Sequence, residues 1–205
     1  MDIFILLVVL FMGAYLRKAR DQKRRIALLG SHLGRHQIEK LLEDITQGYL
    51  RALGEPDSQR QEQIWVHLGT AERAACEQFN RFVSEFSSVA EAQARVSKLA
   101  FSFPFAEQLF PGATFDLRQL LSVHARGITQ AVTNEGNQSH KRKAFTLSAE
   151  LFLMQHTCHW FCRSKTVASA RMMVRHKTSY AQLLAAVAPE TRKAYCAVTG
   201  IGLVS

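Results

Sequence analysis

Thiol and imidazole side chains are concentrated in residues 155–162, which read Gln-His-Thr-Cys-His-Trp-Phe-Cys. On a helix, Cys158, His159 and Cys162 fall within about 100° of arc, and His156 lies about 60° further round. Thiolate and imidazole groups bind zinc, and a pair four residues apart can share one metal ion. These four residues are therefore candidate ligands for a metal or haem. A complete site also needs a ligand from elsewhere, for which the chain offers Cys76, His124 and Cys196.

The same cysteines also fit a buried helix face. They continue an apolar stripe, and free cysteine is among the most often buried residues; the stripe is Leu147, Leu151, Met154, Cys158, Phe161 and Cys162. The spacing matches neither Cys-x-x-Cys, nor His-Glu-x-x-His, nor the haem-attachment motif. We therefore favour core cysteines beside surface or boundary histidines, and no cofactor. A metal- or haem-binding redox or sensor protein is the alternative hypothesis.

No complete catalytic motif is present. The chain lacks a Gly-rich phosphate loop, a Gly-x-Ser-x-Gly elbow and the Glu-x-x-His pair of di-iron bundles. We therefore assign no catalytic residue and favour a protein that is not an enzyme. An enzyme with a dispersed site around His124 and the phenylalanine-rich loop is a third hypothesis.

Phenylalanine is concentrated in the middle of the chain. Eight of the thirteen lie within 37 residues, at positions 79, 82, 86, 101, 103, 105, 110 and 115. They indicate either an apolar pocket or face for a lipid tail or partner helix, or ordinary core packing. Core packing is the favoured interpretation, because aromatic side chains usually carry it.

The net charge of +9 comes from two segments. Residues 17–25 hold six Lys/Arg against Asp21, and residues 140–177 hold eight against Glu150, whereas the rest of the chain has a net charge of −3. Such segregation indicates an anionic partner for the basic segments; the alternatives are a solvated basic face for residues 140–177 and a topology signal alone for residues 17–25. Only Trp160 is available there to stack bases, and no nucleic-acid-binding signature is present, which disfavours nucleic acid.

An uncharged apolar run covers residues 3–16 and is followed directly by the first basic segment. Cations on the C-terminal side of an apolar helix place that side in the cytoplasm, and a cleavable signal peptide carries its cations on the other side. We therefore predict a single-pass transmembrane helix. Fourteen helical residues reach about 21 Å against a hydrocarbon core of about 30 Å, so a helix lying in the membrane plane is the alternative.

Periodicity elsewhere predicts an all-α fold: the N-terminal transmembrane helix and then a multi-helix cytoplasmic bundle. Helices are expected over 36–53, from 57 or 58 to 86, from Ser88 toward Leu99, and over 116–133, 141–163 and 166–176. A last pair has a capping box at Ser179 and Gln182 and a first-turn Pro189. No segment alternates for long enough to predict a strand. The expected division is an anchor with its basic segment, 1–25, and a cytoplasmic domain, 26–205.

These features favour an interaction or scaffold protein anchored in the inner or plasma membrane. Membrane contact is assigned to the first basic segment: Arg17, Lys18, Arg20, Lys23, Arg24 and Arg25. Contact with an acidic protein partner or anionic lipid is assigned to six residues of the second: Lys141, Arg142, Lys143, Arg171, Arg175 and Lys177. The sequence names no small-molecule substrate.

Overall fold

Helices dominate the computed structural model, which describes residues 2–100 and 109–200 and confirms the all-α prediction. In chain order the helices are α1 (Asp2–Leu33), α2 (Ile38–Gly54), α3 (Ser58–Phe86), α4 (Glu91–Ala94), α5 (Leu117–Thr133), α6 (His140–Cys162), α7 (Lys165–His176), α8 (Tyr180–Ala186) and α9 (Pro189–Thr199). Helix α1 continues without a break through residue 25, the predicted end of the anchor.

Capping residues begin several helices where the sequence predicts them. Asp57 accepts a hydrogen bond from the Arg60 N–H at the start of α3. Ser179 and Gln182 form a reciprocal capping box at α8, and Pro189 occupies the first turn of α9. These side chains satisfy amide groups that the first helical turn leaves without partners.

The core is built around α6, which packs against α1, α2, α5, α7 and α8. Its apolar side chains point in several directions, and Leu147, Leu151 and Phe161 are all at most 2% exposed. From Leu147 onward no residue of α6 is exposed, because other helices cover most of its faces there.

Helices α2 and α3 form a close pair on one side of this centre. A Cβ atom added at Gly48 would lie 2.3 Å from Leu68 Cδ2, so the glycine permits the close approach. Phe79, Phe82 and Phe86 of α3 are at most 1% exposed, which confirms that they are core residues. Of the loop phenylalanines, Phe101, Phe103 and Phe105 lie outside the described residues.

The prediction of a helix from Ser88 toward Leu99 is wrong. The helix there is the four-residue α4, and it is followed by strand β1 (Arg95–Ser97). After a 3-10 turn (Pro111–Ala113), strand β2 (Thr114–Asp116) pairs antiparallel with β1, with Val96 opposite Phe115. The strand is held by tertiary contacts: Trp160 Nε1 donates to the Ser97 carbonyl at 2.9 Å. Three residues are too few to show alternation in a sequence.

Candidate functional site

The first half of α1 is an exposed apolar helix. All its large apolar side chains from residue 3 to residue 16 are between 46% and 75% exposed. Contact with the bundle begins in the second half of the helix, where Leu29 is 5% exposed and Leu28 and Leu33 pack against the core. Residues 3–16 thus form an apolar surface that no described part of the chain covers. We call it the apolar segment.

Among the described helices, none combines the length and the apolar character needed to cross a bilayer. The predicted single-pass transmembrane helix is therefore not supported. The physical reason lies in the sequence: the apolar run ends at Leu16, and Arg17, Lys18 and Arg20 follow within the next turn of the same helix.

The six cations that follow the apolar segment have different environments. Arg20, Lys23 and Arg24 are exposed, and Lys18 is half-buried. Arg17 forms an exposed ion pair with Asp21 at 3.8 Å. The Arg25 guanidinium lies 5.2 Å from the centre of the Phe161 ring and donates to the Phe161 carbonyl at 3.4 Å. Arg25 therefore links α1 to α6. The other five cations lie closer to the apolar segment along α1.

The second basic segment does not form one surface. Lys143 donates a hydrogen bond to Glu72, whose other oxygen accepts from Tyr49 at 2.7 Å. Glu72 is buried. Lys143, which was predicted to contact a partner, therefore pairs with a carboxylate inside the protein. Lys141 and Arg142 are exposed at the start of α6.

Helix α7 runs back along the C-terminal half of α6 and carries the other cations. Arg171 contacts His159, and His176 contacts Gln155 at 2.9 Å. Lys141 is 14 residues from Gln155, which is about 21 Å along a helix. Arg171, Arg175 and Lys177 are exposed and form a separate basic group.

The four candidate metal ligands do not converge. His156 is fully buried, and its Nε2 lies 3.1 Å from Ser169 Oγ. Cys158, His159 and Cys162 line a cleft on another side of α6. Across residues 2–100 and 109–200, no three His, Cys, Asp or Glu side chains are grouped so that they could hold a metal ion. The structure gives the metal and haem hypothesis no support.

The pKa values of Cys158, His159 and Cys162 also fit side chains in a core. Burial raises the pKa of the Cys158 thiol, and it raises the pKa of Cys162 to about 11 although Arg25 and Arg163 oppose the shift. Burial first, and then the charges of Arg171 and Arg175, lower the pKa of His159 to about 4. At neutral pH both thiols are protonated and His159 is uncharged.

A cleft of about 330 Å³ separates α1 and α2 from α6. Apolar side chains of α1 and α2 form one wall, and the C-terminal half of α6 forms the other. Two cations, Arg163 and Arg171, line its polar side. Arg163 donates to Gln22 Oε1 at 2.7 Å, so the cleft lies beside the first basic segment.

A second group of polar side chains is enclosed by α5, α6, α8 and α9. We call it the buried polar cluster; it consists of His124, Glu150, His156, Thr157, Tyr180, Thr191 and Tyr195. The sequence does not predict that these residues form a group. The indication it offers is a single acid, Glu150, between the apolar residues Ala149 and Leu151.

Glu150 is the acidic residue of the buried polar cluster. Its Oε1 accepts from the Ala188 N–H at 3.0 Å, and its carboxyl also lies against Thr191. Burial raises its pKa to about 7, although both contacts oppose the shift. A Cβ atom at Gly127 would lie 2.5 Å from Glu150 Oε2, so only glycine leaves room for the carboxyl.

The histidines of this cluster are neutral. His124 Nε2 lies 2.9 Å from Thr157 Oγ1, and burial lowers the pKa of His124 and of His156 to about 3. His124 is 0% exposed. It therefore has no solvent-facing surface from which to act on a substrate in this conformation.

Comparison with known proteins found no matching family model, no similar curated protein and no similar solved structure. The geometry of the chain is therefore the basis for a functional assignment. It offers three distinct features: the apolar segment, the cleft beside it and the basic group on α7.

Proposed function

We propose that the protein is a peripheral membrane protein of the interaction or scaffold class, attached by the apolar segment of α1. The observation that carries this proposal is the exposure of fourteen consecutive residues without a charge. Soluble monomers rarely expose a contiguous apolar patch larger than a few hundred Å². Residues 3–16 are apolar on all sides of the helix and no described part of the chain covers them, so transfer into lipid stabilises them.

The length of the segment sets how it enters the membrane. The segment is about 21 Å long, which is shorter than a hydrocarbon core of about 30 Å. The N–H groups of the first helical turn have no partners within the helix and need polar surroundings. A position in the plane of one leaflet meets both conditions, because the two ends of the segment then lie at the same level, close to the headgroups.

The cations that follow support contact with an anionic leaflet. Arg20, Lys23 and Arg24 are exposed directly after the apolar segment. Each Lys or Arg near an anionic surface contributes about 1 kcal/mol of attraction at moderate ionic strength. The basic group formed by Arg171, Arg175 and Lys177 adds positive charge to the helical bundle. An acidic protein partner is the second kind of ligand that this group fits.

Flotation of the full-length protein with lipid vesicles tests the proposal. The wild type is expected to float with vesicles that contain anionic lipid, and less with zwitterionic vesicles or at high salt. The double variant Leu7→Asp/Leu10→Asp should remain in the bottom fraction, because each substitution removes an apolar side chain from lipid and adds a charge that an anionic leaflet repels.

The matched control is Leu50→Asp/Val66→Asp, since both are exposed apolar residues outside the apolar segment and the basic segments, 67% and 68% exposed. This control should float like the wild type. A wild type that stays at the bottom and instead assembles into oligomers through residues 3–16 would assign the apolar segment to a second copy of the chain and refute membrane attachment.

A further inference from the structure

The cleft beside α6 has the walls of a site for a hydrocarbon chain. Its volume of about 330 Å³ lies at the lower end of the range for small-molecule sites. One wall is apolar and comes from two helices; it consists of Ile26, Leu29, Leu33, Ile38 and Leu42. Met154 adds a flexible apolar side chain from α6. Methionine adapts to ligands of irregular shape.

Apart from Glu39 of α2, the polar side chains that line the cleft come from its opposite side. The Cys158 and Cys162 thiols there are protonated at neutral pH, because burial raises the pKa of each. Gln155, His159 and the two arginines supply the remaining polar atoms of α6 and α7. A ligand that matches this lining is apolar along most of its length and anionic at one end.

His159 positions one of those arginines. Arg171 Nη1 lies 3.1 Å from His159 Nδ1. Because the pKa of His159 is lowered to about 4, its uncharged ring can accept this hydrogen bond at neutral pH. The contact fixes part of the guanidinium, and its other N–H groups are available to an anion.

No carboxylate in the described part of the chain forms an ion pair with Arg163 or Arg171. Glu39 lines the cleft from α2, but it is exposed and makes no ion pair with either arginine. A guanidinium held by a neutral imidazole gains a charge-assisted, bidentate contact when a carboxylate binds to it.

We propose that the cleft binds a single-chain fatty acid, with its hydrocarbon chain against the α1–α2 wall and its carboxylate on Arg171. The small volume selects one chain over the two chains of a phospholipid. The location supports the assignment, because Gln22 connects Arg163 to the segment of α1 that precedes the cleft, close to the proposed membrane surface. The source of the ligand thus rests on the proposed membrane attachment.

Photo-crosslinking on the full-length protein tests this site. The probe is a long-chain fatty acid that carries a diazirine in its tail and a terminal alkyne, added to vesicle-bound protein. Mass spectrometry should place the cross-links within residues 26–42 and 154–163. Arg171→Gln should lower this labelling about tenfold, which corresponds to the loss of about 1.4 kcal/mol from a charge-assisted contact.

Arg175→Gln is the matched control, because Arg175 lies on the same helix and is exposed but does not line the cleft. Its labelling should equal that of the wild type. A fatty alcohol probe of the same length should label the wild type as weakly as the acid labels Arg171→Gln. Equal labelling of the two arginine variants, or equal labelling by acid and alcohol, would overturn carboxylate recognition.

Cross-links confined to residues 3–16 would refute the cleft as the site and leave membrane attachment intact. If the wild type does not float with vesicles, the same probes are used in solution at micromolar concentration. Cleft labelling that still depends on Arg171 would then support the fatty-acid site although membrane attachment had failed, and its absence would refute both.

Discussion

Helices α1 and α6 are both apolar around much of their circumference, yet their surroundings are opposite. Leu151 of α6 is 2% exposed, whereas Leu10 of α1 is 60% exposed. Helix α6 packs among other helices of the bundle, and the first half of α1 extends away from the core. An apolar helix needs partners on all sides. Other helices supply them for α6, whereas no described part of the chain covers residues 3–16 of α1.

The same substitution in the two helices gives the largest expected contrast. Leu151→Asp places an unpaired charge in the core and should destabilise the protein by about 4 kcal/mol or more. Leu10→Asp should change the free energy of unfolding by less than about 0.5 kcal/mol and should weaken vesicle binding. Thermal denaturation followed by circular dichroism and flotation measure the two effects. A large loss of stability in Leu10→Asp would mean that the apolar segment packs on the bundle.

The buried acid of α6 predicts a specific pH dependence. The pKa of Glu150 is about 7 in the folded protein against 4.5 in the unfolded chain. Its contribution to stability is therefore fully present below pH 4.5 and is lost as the pH rises to 7. The loss should reach about 3 kcal/mol, at 1.36 kcal/mol for each pH unit of difference.

Glu150→Gln isolates this effect, because the substituted amide does not titrate. The free energy of unfolding of the variant minus that of the wild type should rise by about 3 kcal/mol between pH 4 and pH 8. His124 and His156 titrate in both proteins and cancel in the difference. Urea denaturation at several pH values measures it, and a difference that is independent of pH would contradict a buried, protonated Glu150.

Gly127 gives a smaller test of how closely α6 is packed. A Cβ atom there would lie 2.4 Å from Thr191 Oγ1 as well as against Glu150. Gly127→Ala should destabilise the protein by about 1–3 kcal/mol through overpacking. In Gly69→Ala, the control, the nearest contact is Arg73 Nη1 at 3.5 Å, and stability should rise by up to about 1 kcal/mol. Equal effects on the urea midpoint would show that the carboxyl can move aside.

Local patterns explain which elements could be predicted. The steps of three and four between apolar residues, together with capping residues such as Asp57, located α3, α5 and α6 to within one or two residues, and Ser179 located the start of α8. These features act between neighbours in the chain. Strands β1 and β2 depend instead on a partner about twenty residues away and on Trp160, so three-residue segments gave no signal.

The features of the candidate sites also differ in whether the sequence reveals them. The apolar segment and its cations are visible in the sequence, because a run of residue types can be recognised without a fold. The packing of the helices determines that His156 meets Ser169, that Lys143 pairs with Glu72 and that Arg171 meets His159 at a cleft. It also determines that Glu150 is buried beside Gly127. Each of these facts depends on which helices pack together, and that arrangement is set by the shapes of side chains distant in the sequence.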